Sequence, residues 1–404
     1  MMKIFMITYN DELTSHVEQC FRHCDCEVTT FCFPEPVYTN NFVILTEKNR
    51  IALLETLKNT TFDIIFSVEY INEVSVISNA LGVIYMSWVM YLPNPDIYRT
   101  GVLNSCNCIF ACDSAVVDML KAQGAENVYY LPTGAVGIFD EKLWNLGEKN
   151  DETADRKEGC DFDNDMYTAS FIGKMPKIKD DDVFGSNSKV SEVCKGYMDA
   201  MAHCQRLIYR KDMIANNIPP GVIEEYFSKY TVMIPKDLYI SSGMLLDETV
   251  FKPYVTMQER QVVLSRIKGV AQIYSDMEIE DNEKDLYNIH EYITDIRQSY
   301  DVYKKSKINV YVADRALTNG ISHRCFDIMA SGGFLLTNPQ NDLMSMFDSD
   351  KEFVMFEDMA DLVQKMIIYS HNDDERKEIA AAGFKKVRDK HLIIHRIKEI
   401  LSVF

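Results

Sequence analysis

The stretch "HRCFDIMASGGFLLTN", residues 323–338, carries the side chains of this chain best suited to chemistry. Cys325, Phe326, Ile328, Met329 and Ala330 read as the buried stripe of a helix, which leaves His323, Arg324 and Asp327 near its other face. Asn319, Gly320 and Ser322 precede them, where unpaired backbone N–H groups and the helix dipole favour an anion. A diphosphate suits that position. Arg324 offers a planar, permanently charged clamp, and Asp327, one turn further on, offers an acceptor for ribose hydroxyls. Gly332 and Gly333 end the helix and turn the backbone into an apolar strand. The same spacing equally fits an Arg324–Asp327 ion pair on a solvated helix face, with the glycines as a cap and His323 as a surface or capping residue.

A fold must bring these groups to a ligand. "KIFMITYN", "EVTTFCF", "FDIIFSV", "VIYMSW", "NCIFACD" and "VYYLPTG" are apolar runs of strand length, separated by helical patterns such as "SAVVDMLKAQG". Strands alternating with helices predict a parallel sheet covered on both faces, with ligands at the strands' carboxyl ends. Asn10, Glu69, Trp88, Asp113 and Gly134 stand at those ends. After an acidic, polar stretch the rhythm restarts at "YTASFIG", breaks for helical sequence over about 189–268, and resumes at "VAQIYSD" and "INVYVAD". The expected organisation is an N-terminal Rossmann-like domain over 1–140 and an acidic linker or loop over 141–165. A second Rossmann-like domain over 166–380 carries the helical insertion, and a C-terminal helix over 381–404 packs back on the first domain.

Composition narrows the partners. The 404 residues suit two cores, and a formal net charge of -19 opposes nucleic acid or an anionic membrane as partner. An anionic ligand then needs a local cluster of donors. The eleven cysteines are scattered through apolar segments, which predicts reduced core residues of a cytoplasmic protein. Cys20, Cys24 and Cys26 with His23 lack a second ligand pair, and the run Asp161, Asp163, Asp165 has Met166 and Ile172 where a calcium loop requires Gly and Glu. No metal site and no transmembrane segment is expected.

"YKKSKINVYVAD", "GISHRCFDIMASGGFLLTNPQNDLMSMF" and "DERKEIAAAGFKKVRDKH" resemble the C-terminal domain of CgeB-like, family 1-type glycosyltransferases of the GT-B fold. "FSVEYINEVSVISNALGVIYMSW" and "CNCIFACDSAVVDMLKAQGAENVYYLP" look like the domain that precedes it in such proteins. The resemblance covers about two-thirds of the chain and leaves the insertion unexplained. It implies two facing Rossmann-like domains, a nucleoside diphosphate sugar as donor, a glycan, protein or small-molecule acceptor, and no metal or prosthetic group. Carried over residue by residue, Asp327 matches the donor-ribose acid, Gly332 and Gly333 the step beneath the diphosphate, and Arg324 a diphosphate contact. Gly173 and Lys174 match the loop facing the phosphates, and Tyr274 and Ser275 meet the base.

Two departures follow. Relatives often carry Glu eight positions before the ribose acid, where this chain has Asn319, and an acid in a "W-x-x-D-x-P" step, where it has Tyr91. Trp88 and Tyr91 are then candidates for an acceptor-side stacking surface, although an aromatic at a strand end is more often core. Glu69, Asp113 and His16 are the candidate general bases on that side. Two other readings stand beside glycosyl transfer: a catalytically silent nucleotide-sugar-binding scaffold, and a sugar-nucleotide epimerase or hydrolase. The insertion is a candidate surface for a partner or for self-association.

Overall fold

The computed structural model describes residues 1–9, 11–35, 38–40, 42–136, 166–176, 183–230, 234–279 and 286–403. The linker expected over 141–165, and Asn10, lie outside the described residues. In the first half, β1 (Lys3–Thr8), β2 (Glu27–Cys32), β5 (Ile64–Val68), β6 (Ile84–Val89), β7 (Asn107–Ala111) and β8 (Val128–Tyr130) form one parallel sheet in the order β2-β1-β5-β6-β7-β8. Strand β1 shows why: Phe5 and Ile7 enter one buried cluster, and Ile4 and Met6 enter another on the opposite face. Helices α1 (Glu12–His23), α2 (Glu47–Asn59), α3 (Asn72–Leu81) and α4 (Ser114–Ala122) connect the strands. Asp11 caps α1 by accepting from the Thr14 N–H at 2.7 Å. A short antiparallel pair, β3 (Tyr38–Asn40) and β4 (Phe42–Ile44), had no counterpart in the sequence reading.

The second half repeats the design. Strands β9 (Tyr167–Ile172), β10 (Ala271–Tyr274), β11 (Asn288–His290), β12 (Ser306–Tyr311), β13 (Leu335–Thr337) and β14 (Val354–Met355) pair in parallel in the order β11-β10-β9-β12-β13-β14. Between β9 and β10 stand α5 (Glu192–Arg206), α6 (Pro220–Lys229), α7 (Ser242–Leu246) and α8 (Lys252–Ile267). They enclose a core of their own, including Met198, Ile214, Tyr226 and Phe251, while Val263, Leu264 and Ile267 of α8 join the sheet's core. The buried Glu259 of α8 accepts from Arg315 Nε at 2.9 Å and from Asn338 Nδ2 at 3.3 Å, anchoring this helical unit at the strand ends.

The remaining helices are α9 (Ile296–Lys304), α10 (His323–Ala330), α11 (Asn341–Met346), α12 (Met359–His371), α13 (Asp373–Lys390) and α14 (Ile393–Leu401). Ile393, Ile394, Ile397 and Ile400 of α14 are buried in the same cluster as Ile4, Met6 and Phe66 of the first sheet and Phe21 of α1. Arg396 Nε donates to Pro132 O at 2.9 Å, and Ala135 N to His391 O at 2.8 Å. No helix among the described residues is long and apolar enough to cross a membrane.

Carboxylates join the halves. Asp113 Oδ2 accepts from Asn319 N at 3.1 Å and Gly320 N at 3.0 Å, while its Oδ1 caps α4 at Ala115 N. Asp342 returns the exchange by accepting from Ser114 N at 3.0 Å and Ser114 Oγ at 2.6 Å. Asn319 Nδ2 closes the loop on Ser114 Oγ at 3.0 Å. Removing one carboxylate strands buried N–H groups, at a cost of about 1–3 kcal/mol. Asp113→Ala is therefore expected to lower unfolding stability by about that amount. The Asp113→Ala/Asp342→Ala pair is expected to be non-additive, because both acids serve one network; denaturant titrations of the single and double variants check this.

Candidate active site

A cleft of about 420 Å³ opens between the two sheets. The strand ends of the first half supply Tyr9, Asp11, Glu12, Glu69 and Tyr91. The second half supplies Tyr292 and Thr294, Ser299 and Tyr303 of α9, and His323, Arg324 and Asp327 of α10. Of the residues singled out from sequence, Glu69, Tyr91, His323, Arg324 and Asp327 thus share one cavity.

Glu69 sits just past β5 with φ of 65°, in the left-handed region that a residue with a side chain rarely adopts. Its surroundings hold it there: its N–H donates to Trp88 O at 2.9 Å, and Ser67 Oγ donates to its carbonyl at 2.6 Å. Its carboxylate accepts from Met90 N and Tyr91 N, both at 2.9 Å, and from Asn94 Nδ2 at 2.8 Å. Such a backbone persists only where several contacts over-determine it, as commonly happens in active sites. The Tyr91 ring meets His323 edge-on, 5.4 Å between centroids, so the two halves touch across the cleft at this point. Tyr91 leaves no carboxylate at its own position, yet the Glu69 carboxylate lies on its amide.

Arg324 opens α10 and is fixed by two phenols. Nη1 donates to Tyr303 Oη at 3.2 Å and Nη2 donates to Tyr292 Oη. Lys174 Nζ stands 4.8 Å from the centre of the Tyr292 ring, so one aromatic ring gathers both cations. Burial alone would lower the Arg324 pKa, but Tyr303 and Tyr292 raise it, and the guanidinium keeps its charge. His323 goes the other way: burial, then the neighbouring Arg324, lowers it to about 3, leaving a neutral imidazole. Tyr292 and Tyr303 had no local signal in sequence, because they lie 32 and 21 residues from Arg324.

Several sequence expectations are corrected. Asn319 and Gly320 do direct their amides at an anion, but it is the carboxylate of Asp113. Asp113 itself is fully buried in that clasp and lies outside the cleft lining. Trp88 is fully buried and donates Nε1 to Leu131 O at 3.2 Å, so it presents no stacking face. His16 is buried on α1 beyond the cleft lining, and burial lowers its pKa. Asp327 lines the cavity, but far from standing on an exposed helix face it is buried; Oδ1 accepts from Val136 N at 2.8 Å and Tyr300 Oη at 3.1 Å. Gly332 and Gly333 lie at the opposite end of α10 from the cleft. Gly332 has φ of 80°, and a Cβ on Gly333 would come within 2.6 Å of Asn309 Nδ2, so both serve the tight turn into β13.

Gly173 and Tyr274 are neighbours at the ends of β9 and β10, with Gly173 N donating to Tyr274 O at 3.1 Å. The Tyr274 ring stacks on His290, 4.7 Å between centroids, and Ser275 is buried, its Oγ accepting from Met277 N at 3.2 Å. These two lie along the same sheet edge but outside the cleft lining. Tyr9, Asp11 and Glu12 were missed. The signal available was their position at the end of β1, where a helix begins.

Two facing parallel α/β sheets with the cleft between them define a GT-B fold, and solved structures share it. Anabaena HepE in complex with UDP-glucose aligns over 100% of both chains at 11% identity, with a TM-score of 0.51. Sucrose-phosphate synthase from Thermosynechococcus elongatus aligns over 100% of this chain and 99% of its own at 9% identity, also with a TM-score of 0.51. Residues 273–402 match the family described as glycosyl transferase-like, so the second half carries a glycosyltransferase-type domain. No curated protein matches the sequence.

The Glu69 environment has a measurable consequence. Burial raises its carboxyl to about 7, against the opposing pull of Asn94, Met90 and Tyr91. The folded state therefore binds this proton more tightly than the unfolded chain, whose ordinary value is 4.5. This stabilisation is full below about pH 4.5 and is lost as pH rises through about 7. In Glu69→Gln that loss is expected to disappear, so the stability difference between wild type and variant should change by about 3 kcal/mol across the window. Denaturant titrations from pH 4.5 to 8 read it directly.

Proposed function

We propose that this protein is a CgeB-like glycosyltransferase that moves a sugar from a nucleoside diphosphate sugar to a hydroxyl-bearing acceptor. The observation that carries the reading is Arg324, held by Tyr292 and Tyr303 at the N-terminus of α10 with Lys174 on the same aromatic ring. As the glycosidic bond to the donor breaks, negative charge grows on the leaving diphosphate. A guanidinium already fixed in place stabilises that charge without reorganising. Gly173, Tyr274 and Ser275 extend the donor side along the strand ends in this reading. The sheet architecture shared with Anabaena HepE, which was captured with UDP-glucose, makes UDP sugars the first donors to try. The transfer itself needs no metal in this proposal, because the cations of the second half take the diphosphate charge. The ten free cysteines among the described residues suit a reducing, cytoplasmic setting.

One observation favours the silent-scaffold alternative: Asp113 already occupies the Asn319 and Gly320 amides that a donor phosphate would otherwise use. Calorimetry with UDP, GDP, dTDP and CMP, followed by their sugars, separates the readings. Arg324→Ala is expected to weaken the preferred diphosphate by roughly 10- to 100-fold, the scale of a lost hydrogen bond to a charged group. Unchanged affinity in Arg324→Ala would sink the assignment of this site. Tight donor binding with no sugar transferred or released across an acceptor panel supports the scaffold, and a free or epimerised sugar without acceptor supports the hydrolase or epimerase.

A further inference from the structure

The two walls of the cleft differ in sign. Arg324 lies on the second half's wall, and no lysine or arginine of the first half lines the cavity among the described residues. That half instead contributes three carboxylates, Asp11, Glu12 and Glu69, together with Tyr9 and Tyr91. The two tyrosines are 38% and 42% exposed, and both stand at the cavity. Neither ring is consumed by the core, as Trp88 is, and the Glu69 carboxyl in the same cavity is held by three donors.

We propose that this N-terminal wall is an acceptor subsite for an uncharged or amino-bearing sugar ring, and that it rejects acceptors carrying a phosphate or carboxylate. The proposal rests on the glycosyl-transfer reading and names its acceptor class. Exposed aromatic rings cover the apolar C–H face of a pyranose, and fixed carboxylates accept hydrogen bonds from its hydroxyls, with charge-assisted strength. An anionic acceptor would meet Asp11 and Glu12, joined by Glu69 whenever it is ionised, in a partly desolvated cleft, so the wall selects by repulsion as well as attraction. The same polarity sorts the two substrates. The diphosphate of the donor is drawn to Arg324 and repelled from the opposite wall, which keeps a second nucleotide out of the acceptor position. Neutral His323, in edge contact with Tyr91, adds no cation that would relieve the repulsion.

Saturation-transfer difference NMR on the full chain tests this, with and without UDP. The probes are methyl glucoside, methyl galactoside, methyl mannoside, glucosamine and glucose 6-phosphate. At least one methyl glycoside or glucosamine is expected to give ring-proton signals that are lost in Tyr91→Ala, with glucose 6-phosphate at least roughly 10-fold weaker in apparent affinity. In Asp11→Asn/Glu12→Gln, which keeps the cap on α1 and the shape of the wall, binding of glucose 6-phosphate is expected to rise by a similar factor. Thermal melting of each variant verifies folding. Binding of glucose 6-phosphate at or above the level of the uncharged sugars in the wild type overturns the proposal, as does uncharged-sugar binding indifferent to Tyr91→Ala. UDP binding with no sugar signal overturns the acceptor subsite while leaving the donor site standing. Sugar binding without response to any nucleotide overturns the transferase reading instead.

Discussion

Buried carboxylates exchanged between the two halves are the constraint on which the rest depends. Asp113 of the first half is spent on main-chain amides of the second, Asp342 of the second on Ser114 of the first, and Asp327 on Val136 N. A buried carboxylate is tolerated only with its hydrogen bonds made, and loop amides outside regular structure need acceptors just as much. Each half therefore solves the other's desolvation problem. Because the donors are backbone groups at specific residues, the solution fixes the position of one sheet against the other as well as holding them together. The cleft inherits its width from this arrangement.

The sheets were legible because their strands are buried on both sides. "KIFMIT" and "FDIIFSV" are continuous apolar runs that no amphipathic surface element would carry, and β1 and β5 pair as their pattern requires. The anion-seeking amides before α10 were legible too, since a helix start is a local event. What occupies them was not: Asp113 lies 206 residues earlier, and no periodicity or spacing encodes that meeting. The same limit hid Tyr292 and Tyr303 behind Arg324. Trp88 failed for a different reason, because an aromatic at a strand end has the same local sequence whether it points to solvent or into the sheet's core.

Glu69 shows how a departure from a family pattern can be read in space. Where the pattern that the sequence resembles has an acid, the chain has Tyr91, whose amide binds a carboxylate from just beyond the adjoining strand. Strands β5 and β6 run side by side in register, with Val68 beside Trp88, so residues just beyond their ends are neighbours. A carboxylate absent from one strand end is thus supplied from the next, at the cost of a left-handed backbone at Glu69.

The return of α14 to the first sheet has a mechanical consequence. The chain crosses between halves twice, once after Val136 and once near His391, and the crossings touch through Ala135 N and His391 O. Gly134, with φ of 107° and a virtual Cβ 2.8 Å from His391 O, lets the two segments lie in contact. Two adjacent crossings make a single waist rather than two separated pins, and the Asp113 and Asp342 bonds hold the halves together away from it. Truncation has an asymmetric result for the same reason: removing the last helix uncovers the sheet built from the first residues of the chain.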